Sequence, residues 1–168
     1  MGDMADLFGR SLWAPRSGDG DVSVSHTPDV TMDLPAAVLD PQARMAYVLA
    51  GASTLTLQGR TSHFTYRVLA NQKQPSNVSH WVHVLTGPDN VEDFTFLGGI
   101  TPQGFFVSTK STIGADARSA VAFAWWFSHP ADPRVEMMHA GRCGRCKRKL
   151  THPESIKTGL GPVCAEYE

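Results

Sequence analysis

FTYRVLANQKQPSNVSHWVHVLTGPDNVEDFTFLGGITPQGFFVST, from Phe64 to Thr109, decides the fold. Phe64, Tyr66 and Val68 alternate with Thr65, Arg67 and Leu69, the period of two that marks a half-buried strand. In His80–Leu85, Val82 and Val84 oppose Trp81, His83 and Leu85, so apolar groups stand on both faces and both are expected to be covered. Gly87-Pro88-Asp89-Asn90 is turn chemistry between two strands. Phe94–Leu97 and Phe105–Thr109 continue the pattern downstream, and Thr54–Leu57 begins it upstream. Five short runs with brief polar or glycine-containing breaks predict an antiparallel meander or a small open barrel.

Helices flank these strands. Asp40-Pro41, then Gln42–Ala50 and Gly51, predicts a short helix. Asp40 can cap the free N–H groups, Pro41 suits the first turn, and Gly51 suits a left-handed stop. Met45, Val48 and Leu49 would share its buried face. Asp116–Phe127 predicts a second helix that covers the sheet. Ala117, Ala120, Val121, Ala124 and Trp125 fall at helical spacing there, with Phe123 and Trp126 widening the apolar face. His129-Pro130 and Asp132-Pro133 end it and open a linker. The expected class is α+β: a five-stranded antiparallel sheet, a covering helix, and a treble-clef-like or ribbon-like zinc module at the C-terminus.

The chain has 168 residues and a mass of 18.2 kDa, with 42% hydrophobic and 18% charged residues. That suits one ordinary domain, or a domain of about 100 residues with a small module attached. A net charge of -1 excludes a polycation that coats nucleic acid and an acidic mimic of DNA. The longest apolar run, Ser119–Phe127, is far short of the ~20 residues that span a bilayer. The opening MGDMADLFGR lacks a basic region followed by an apolar core. A soluble, cytoplasmic protein with no membrane partner is expected.

Charge is distributed unevenly. Residues 1–33 carry six Asp against two Arg, a net -4, whereas residues 134–158 carry seven Lys or Arg against two Glu, a net +5. The split predicts an acidic, flexible leader over residues 1–35, a body over 36–130 and a basic zinc-finger module over 131–168. Within the leader, Met4-Ala5-Asp6-Leu7-Phe8 resembles the acidic-Leu-Phe peptides that dock in the bacterial sliding clamp. The plainer reading is a frayed terminus with incidental Leu and Phe.

All three cysteines, Cys143, Cys146 and Cys164, fall in the last 26 residues. Cys143-Gly144-Arg145-Cys146 is a C-x2-C knuckle whose spacing lets two thiolates reach one metal, and Cys164 follows at a separation met in zinc ribbons and treble clefs. His139, four residues before the knuckle and at the end of a strand over Val135–Met138, is the expected fourth ligand. His152, water or an intermolecular ligand are the alternatives. A redox pair lacks its βαβ setting. A disulfide lacks an export route, and a catalytic zinc with Glu154 as base lacks a surrounding wall. Structural zinc is expected, because about 35 residues cannot build enough core to fold alone.

The segment from His139 to Ile156, with Gly159-Leu-Gly-Pro-Val-Cys164-Ala165 after it, resembles a small zinc-finger domain of unknown function that recurs in bacteriophage and prophage proteins. Phe64-Thr-Tyr-Arg67, Val84–Asn90, Phe94–Gly98, Thr109–Ser111 and Ala122–Trp125 resemble the body that often precedes it, so the resemblance covers about residues 51–165. The family's His-x3-Cys-x2-Cys start implies His139 as a ligand. At the place of His152 the family pattern has a residue such as Val or Asp. The resemblance implies a phage or mobile-element setting and no particular activity.

Two surfaces remain. Arg142, Arg145, Lys147, Arg148 and Lys149 crowd the knuckle, and can contact nucleic-acid phosphates or balance thiolate charge as a solvated loop. Tyr66, Trp81, Phe106 and Lys110 can form an aromatic and basic face for stacking bases, or the rings can be core. His63, His80 and His83 read as ordinary strand positions. There is no P-loop, G-x-S-x-G or H-E-x-x-H motif. The expectation is therefore a non-enzymatic zinc-finger protein of phage or mobile-element type, which binds nucleic acid or a nucleoprotein complex. The alternative is an inhibitor of a host defence or nucleic-acid machine, of anti-CRISPR type, acting by protein–protein binding.

Overall fold

The computed structural model of the chain describes residues 39–73 and 76–167. The expected leader over residues 1–35 and its Met4–Phe8 segment lie outside the described residues. The sheet order is β5-β4-β3-β2-β1-β6 and all neighbours are antiparallel. The strands are β1 (Ala52–Gln58), β2 (His63–Ala70), β3 (His80–Leu85), β4 (Phe94–Thr101), β5 (Gly104–Val107) and β6 (Glu136–His139). The predicted meander is thus present, but the sheet has six strands, not five. The strand expected to lead into the cysteines joins the sheet itself, pairing Leu57 with Met137 and Leu55 with His139. Its EMMH sequence places Met137 on the buried face, where it has no exposure. An apolar residue at that position cannot be buried by a small cysteine-rich module alone.

The pleat sorts the strands into two faces. Leu55, Leu57, Tyr66, Val68, Val82, Val84, Leu97 and Ile100 point one way and are buried. Against them lie helix α1 (Arg44–Val48) and helix α2 (Arg118–Ser128). Tyr66 donates its hydroxyl to the Ser119 carbonyl at 2.6 Å and meets Phe123 at a ring separation of 4.8 Å. Those contacts overturn the reading of Tyr66 as part of a stacking face. The opposite face carries Arg67, Trp81, His83 and Phe96, all half-buried, and the exposed Phe106. Coverage of both sides of His80–Leu85 was expected. Instead Val82 and Val84 are covered, while Trp81, His83 and Leu85 keep access to solvent.

Both helices differ in detail from their sequence reading. Asp40 does not cap: it accepts the Gln42 N–H at 3.0 Å in a turn ahead of the helix, whose N-cap position is Ala43 with no side-chain cap, while Gly51 takes φ 112. The buried side chains of α1 are Arg44, Tyr47 and Val48, and Leu49 is exposed. Arg44 is held inside because its Nη1 donates to the Pro130 and Asp132 carbonyls at 3.2 and 3.1 Å, which pins the linker after α2. In α2 the buried stripe is Ala120, Ala122, Phe123 and Trp126. Trp125 lies outside that stripe, stacked on His129 at 4.8 Å. No described helix is long and apolar enough to cross a membrane.

Candidate metal centre and basic cleft

The cysteine region is built from a tight hairpin and two short helices, α3 (Pro153–Thr158) and α4 (Pro162–Ala165). Arg142 and Lys149 form an antiparallel bridge, the Cys143 N–H donates to the Arg148 carbonyl at 2.9 Å, and the Lys147 N–H returns to the Cys143 carbonyl at 3.0 Å. Lys147 takes φ 62, the left-handed conformation that turns the chain back after the second cysteine. Gly159 ends α3 with φ 74, and its lack of a Cβ leaves room for Tyr47 of α1. Gly144 makes the same close approach to Tyr47 from the knuckle side. Tyr47 also donates to the Thr54 carbonyl at 2.8 Å and packs on the His139 ring at 5.4 Å. The Ala52 N–H bonds the Gly144 carbonyl at 2.7 Å, and the Asp40 N–H bonds the Lys157 carbonyl at 3.2 Å. The knuckle is therefore stitched to β1 and to the entry of α1 by main-chain bonds.

Cys143, Cys146 and Cys164 are brought together, with their sulfurs within 4.8 Å of one another. Burial pushes the Cys143 thiol up, but N–H groups of Cys146, Gly161 and Arg145, together with the Cys146 side chain, outweigh it and hold the thiol at about 7. Cys164 is pushed up to about 11, first by desolvation and then by sharing its space with Cys146 and Cys143. Three thiols this close cannot all ionise unless a cation offsets their repulsion. The donor set fits a metal ion: soft sulfur ligands, one of them supported by the Gly161 N–H at 3.4 Å.

His139 stands outside that group. Its Nε2 donates to the Ile156 carbonyl at 2.7 Å and its Nδ1 accepts the Gly141 N–H at 3.1 Å, so both ring nitrogens are engaged. These bonds tie β6 to α3. The sequence marks the residue but not its partner, which is a carbonyl 17 residues downstream. His152, exposed, lines an open pocket of about 460 Å³ together with the three cysteines, Arg148 and Lys149.

The five basic residues of the knuckle do not form one patch. Arg145 is turned toward the C-terminus, where it donates to the Cys164 and Tyr167 carbonyls at 3.3 and 3.1 Å. Arg148 and Lys149 line the pocket shared with His152. Arg142 and Lys147 line a separate cleft of about 360 Å³ between the knuckle and the sheet, and Arg67 of β2 enters it from the other side. Among the described residues, no carboxylate lines that cleft. The sequence marks Arg67 as a strand position and not as part of the basic surface. Its alternation with Tyr66 and Val68 is the signal that placed it on this face.

The fold and cluster define an α+β protein with a three-cysteine site of metal-binding type near its C-terminus. Residues 136–168 match a family of unknown function, DUF6011. No curated protein and no solved structure matches the chain.

Proposed function

We propose that the protein is a non-enzymatic nucleic-acid-binding protein whose C-terminal module is ordered by zinc. Cys143, Cys146 and Cys164 would hold the ion in this reading, and His152 lines the pocket that the three cysteines share. Zinc would supply folding free energy to a module whose buried apolar side chains are few. Three thiolates on a divalent ion leave a charge of -1, which the neighbouring basic residues offset. The resemblance to phage and prophage proteins suggests a phage or mobile-element setting in a host cytoplasm. The matched family has no assigned activity to add.

The observation that carries the binding reading is the cleft in which Arg67, Arg142 and Lys147 converge, with no carboxylate among the described residues that line it. Cations from two elements around one concavity suit a phosphate chain better than a solvated loop does. Arg148 and Lys149 extend the basic surface around the knuckle, whereas Arg145 serves the C-terminal helix. Titration of labelled oligonucleotides at two salt concentrations tests this. About three phosphate contacts on a single strand predict a slope of roughly -2 in log K against log salt. The pair Arg142→Glu and Lys147→Glu should abolish binding while metal content and thermal unfolding hold. Unchanged affinity in that variant, or no binding at low salt, would overturn the reading and leave a protein-docking role.

A further inference from the structure

The face of the sheet opposite α1 and α2 carries more aromatic surface than a solvent face needs. Trp81 meets Phe96 at 5.8 Å and His83 meets Phe96 at 5.5 Å, both edge to face. The Arg67 guanidinium lies 3.9 Å above the Phe94 ring. Phe106 lies across Gly99, where a Cβ would meet its Cε1 at 2.9 Å, so the missing side chain lets this ring approach the strand closely. Phe106 is 38% exposed. A β-bulge between Val82 and His83 keeps this register: Phe94 and Phe96 stay on the open face while Leu97 turns into the core.

Charge decides what such a face would take. Glu136, at the corner beside Gln58, is the single carboxylate on any of the six strands. The β3–β4 loop carries three further acids. Asp89 accepts the Val91 and Glu92 N–H groups, Asp93 accepts the Asp89 N–H, and Glu92 is exposed. The first two carboxylates are thus turned into their own loop. From Phe106 on β5 to the cleft beside β1 is four strand spacings, roughly 19 Å. Rings on the sheet and cations at one end form the pairing that unpaired bases and their phosphates require.

We infer that this face is a stacking platform for single-stranded nucleic acid, with bases on Trp81, Phe96 and Phe106 and the backbone leading into the cleft of Arg67, Arg142 and Lys147. The inference rests on the nucleic-acid reading above and adds its substrate class. Duplex does not fit, because its bases present no free face to a ring.

The full-length, metal-loaded protein is titrated with labelled oligo-dT, oligo-U and a duplex DNA, and ultraviolet crosslinks are mapped. Single strands should bind more tightly than duplex and crosslink within β3–β5. Phe106→Ala should weaken single-strand binding by about 5- to 150-fold with the salt slope unchanged, and Phe106→Trp should restore it. Equal affinity for duplex, or undiminished binding by Phe106→Ala and Trp81→Leu alongside loss in the Arg142→Glu, Lys147→Glu pair, would overturn the platform and leave the cleft reading standing. Binding to none of the three would remove both. A dimer in sedimentation that Phe106→Ala dissociates would assign the face to a second copy and overturn the platform. Should Phe106→Ala unfold, wild-type crosslinks confined to residues outside β3–β5 would overturn it equally.

Discussion

Cys143 is held by main-chain donors on several sides, and that is the geometry a thiolate needs before any metal arrives. Cys143→Ser should therefore abolish stoichiometric metal binding, read by elemental analysis, and lower the melting temperature. His139 is predicted to behave differently. With Nε2 on Ile156 and Nδ1 on Gly141, His139→Leu leaves two main-chain groups without partners, at a cost of about 1–3 kcal/mol each. Metal content should survive in the folded variant, and loss of one metal equivalent would return His139 to the ligand set. The cysteine spacing was legible in the sequence because a C-x2-C knuckle is a local device. The partners of His139 and Tyr47 were not, because carbonyls and glycines distant in sequence carry no side-chain signal.

Among the elements, β6 and α2 show what a period can and cannot say. The strand leading to the knuckle was legible from Val135–Met138, but its pairing partner was not, since β1 lies nearly 80 residues upstream and any antiparallel edge would have suited it. In α2 the helical period was clear, but the sequence puts Trp125 on the main stripe and Trp126 only at its margin. Packing of Trp126 and Phe123, with no exposure, chose between them. Two histidines of β3 carry a pH prediction. Burial, then the charge of Arg67, lowers the pKa of His83, and burial lowers that of His80. Imidazoles depressed in the folded state bind more protons once the chain unfolds. Their contribution is complete above the unfolded value of about 6.5 and is lost as pH falls through the lower folded values. Denaturant midpoints should therefore fall between about pH 7 and pH 5, and His83→Gln should flatten that slope. An unchanged slope in the variant would remove His83 as its source.

At the scale of the whole molecule, two apolar clusters meet. The larger lies between the sheet and the helices, and the smaller gathers Cys143, Leu150 and Leu160 against Ala46 and Ala50 of the α1 region. Chelation should loosen the smaller cluster first. Hydrogen exchange is then expected to rise across residues 141–167 while β2 and β3 stay protected, and uniform loss of protection would mean that both clusters unfold as one. The pairing of β6 with β1 also bears on how the protein behaves when crowded with its own copies. An outer strand with unpaired amides is a template for another chain, and β6 blunts that edge of β1 while β5, only four residues long, offers little at the other. Because β6 runs straight into the knuckle, release of the metal would fray the guard strand and bare the long rim of β1. Metal-starved protein should then form β-rich aggregates at concentrations where the loaded protein stays clear, so that an ion held by the three cysteines would also supply colloidal stability.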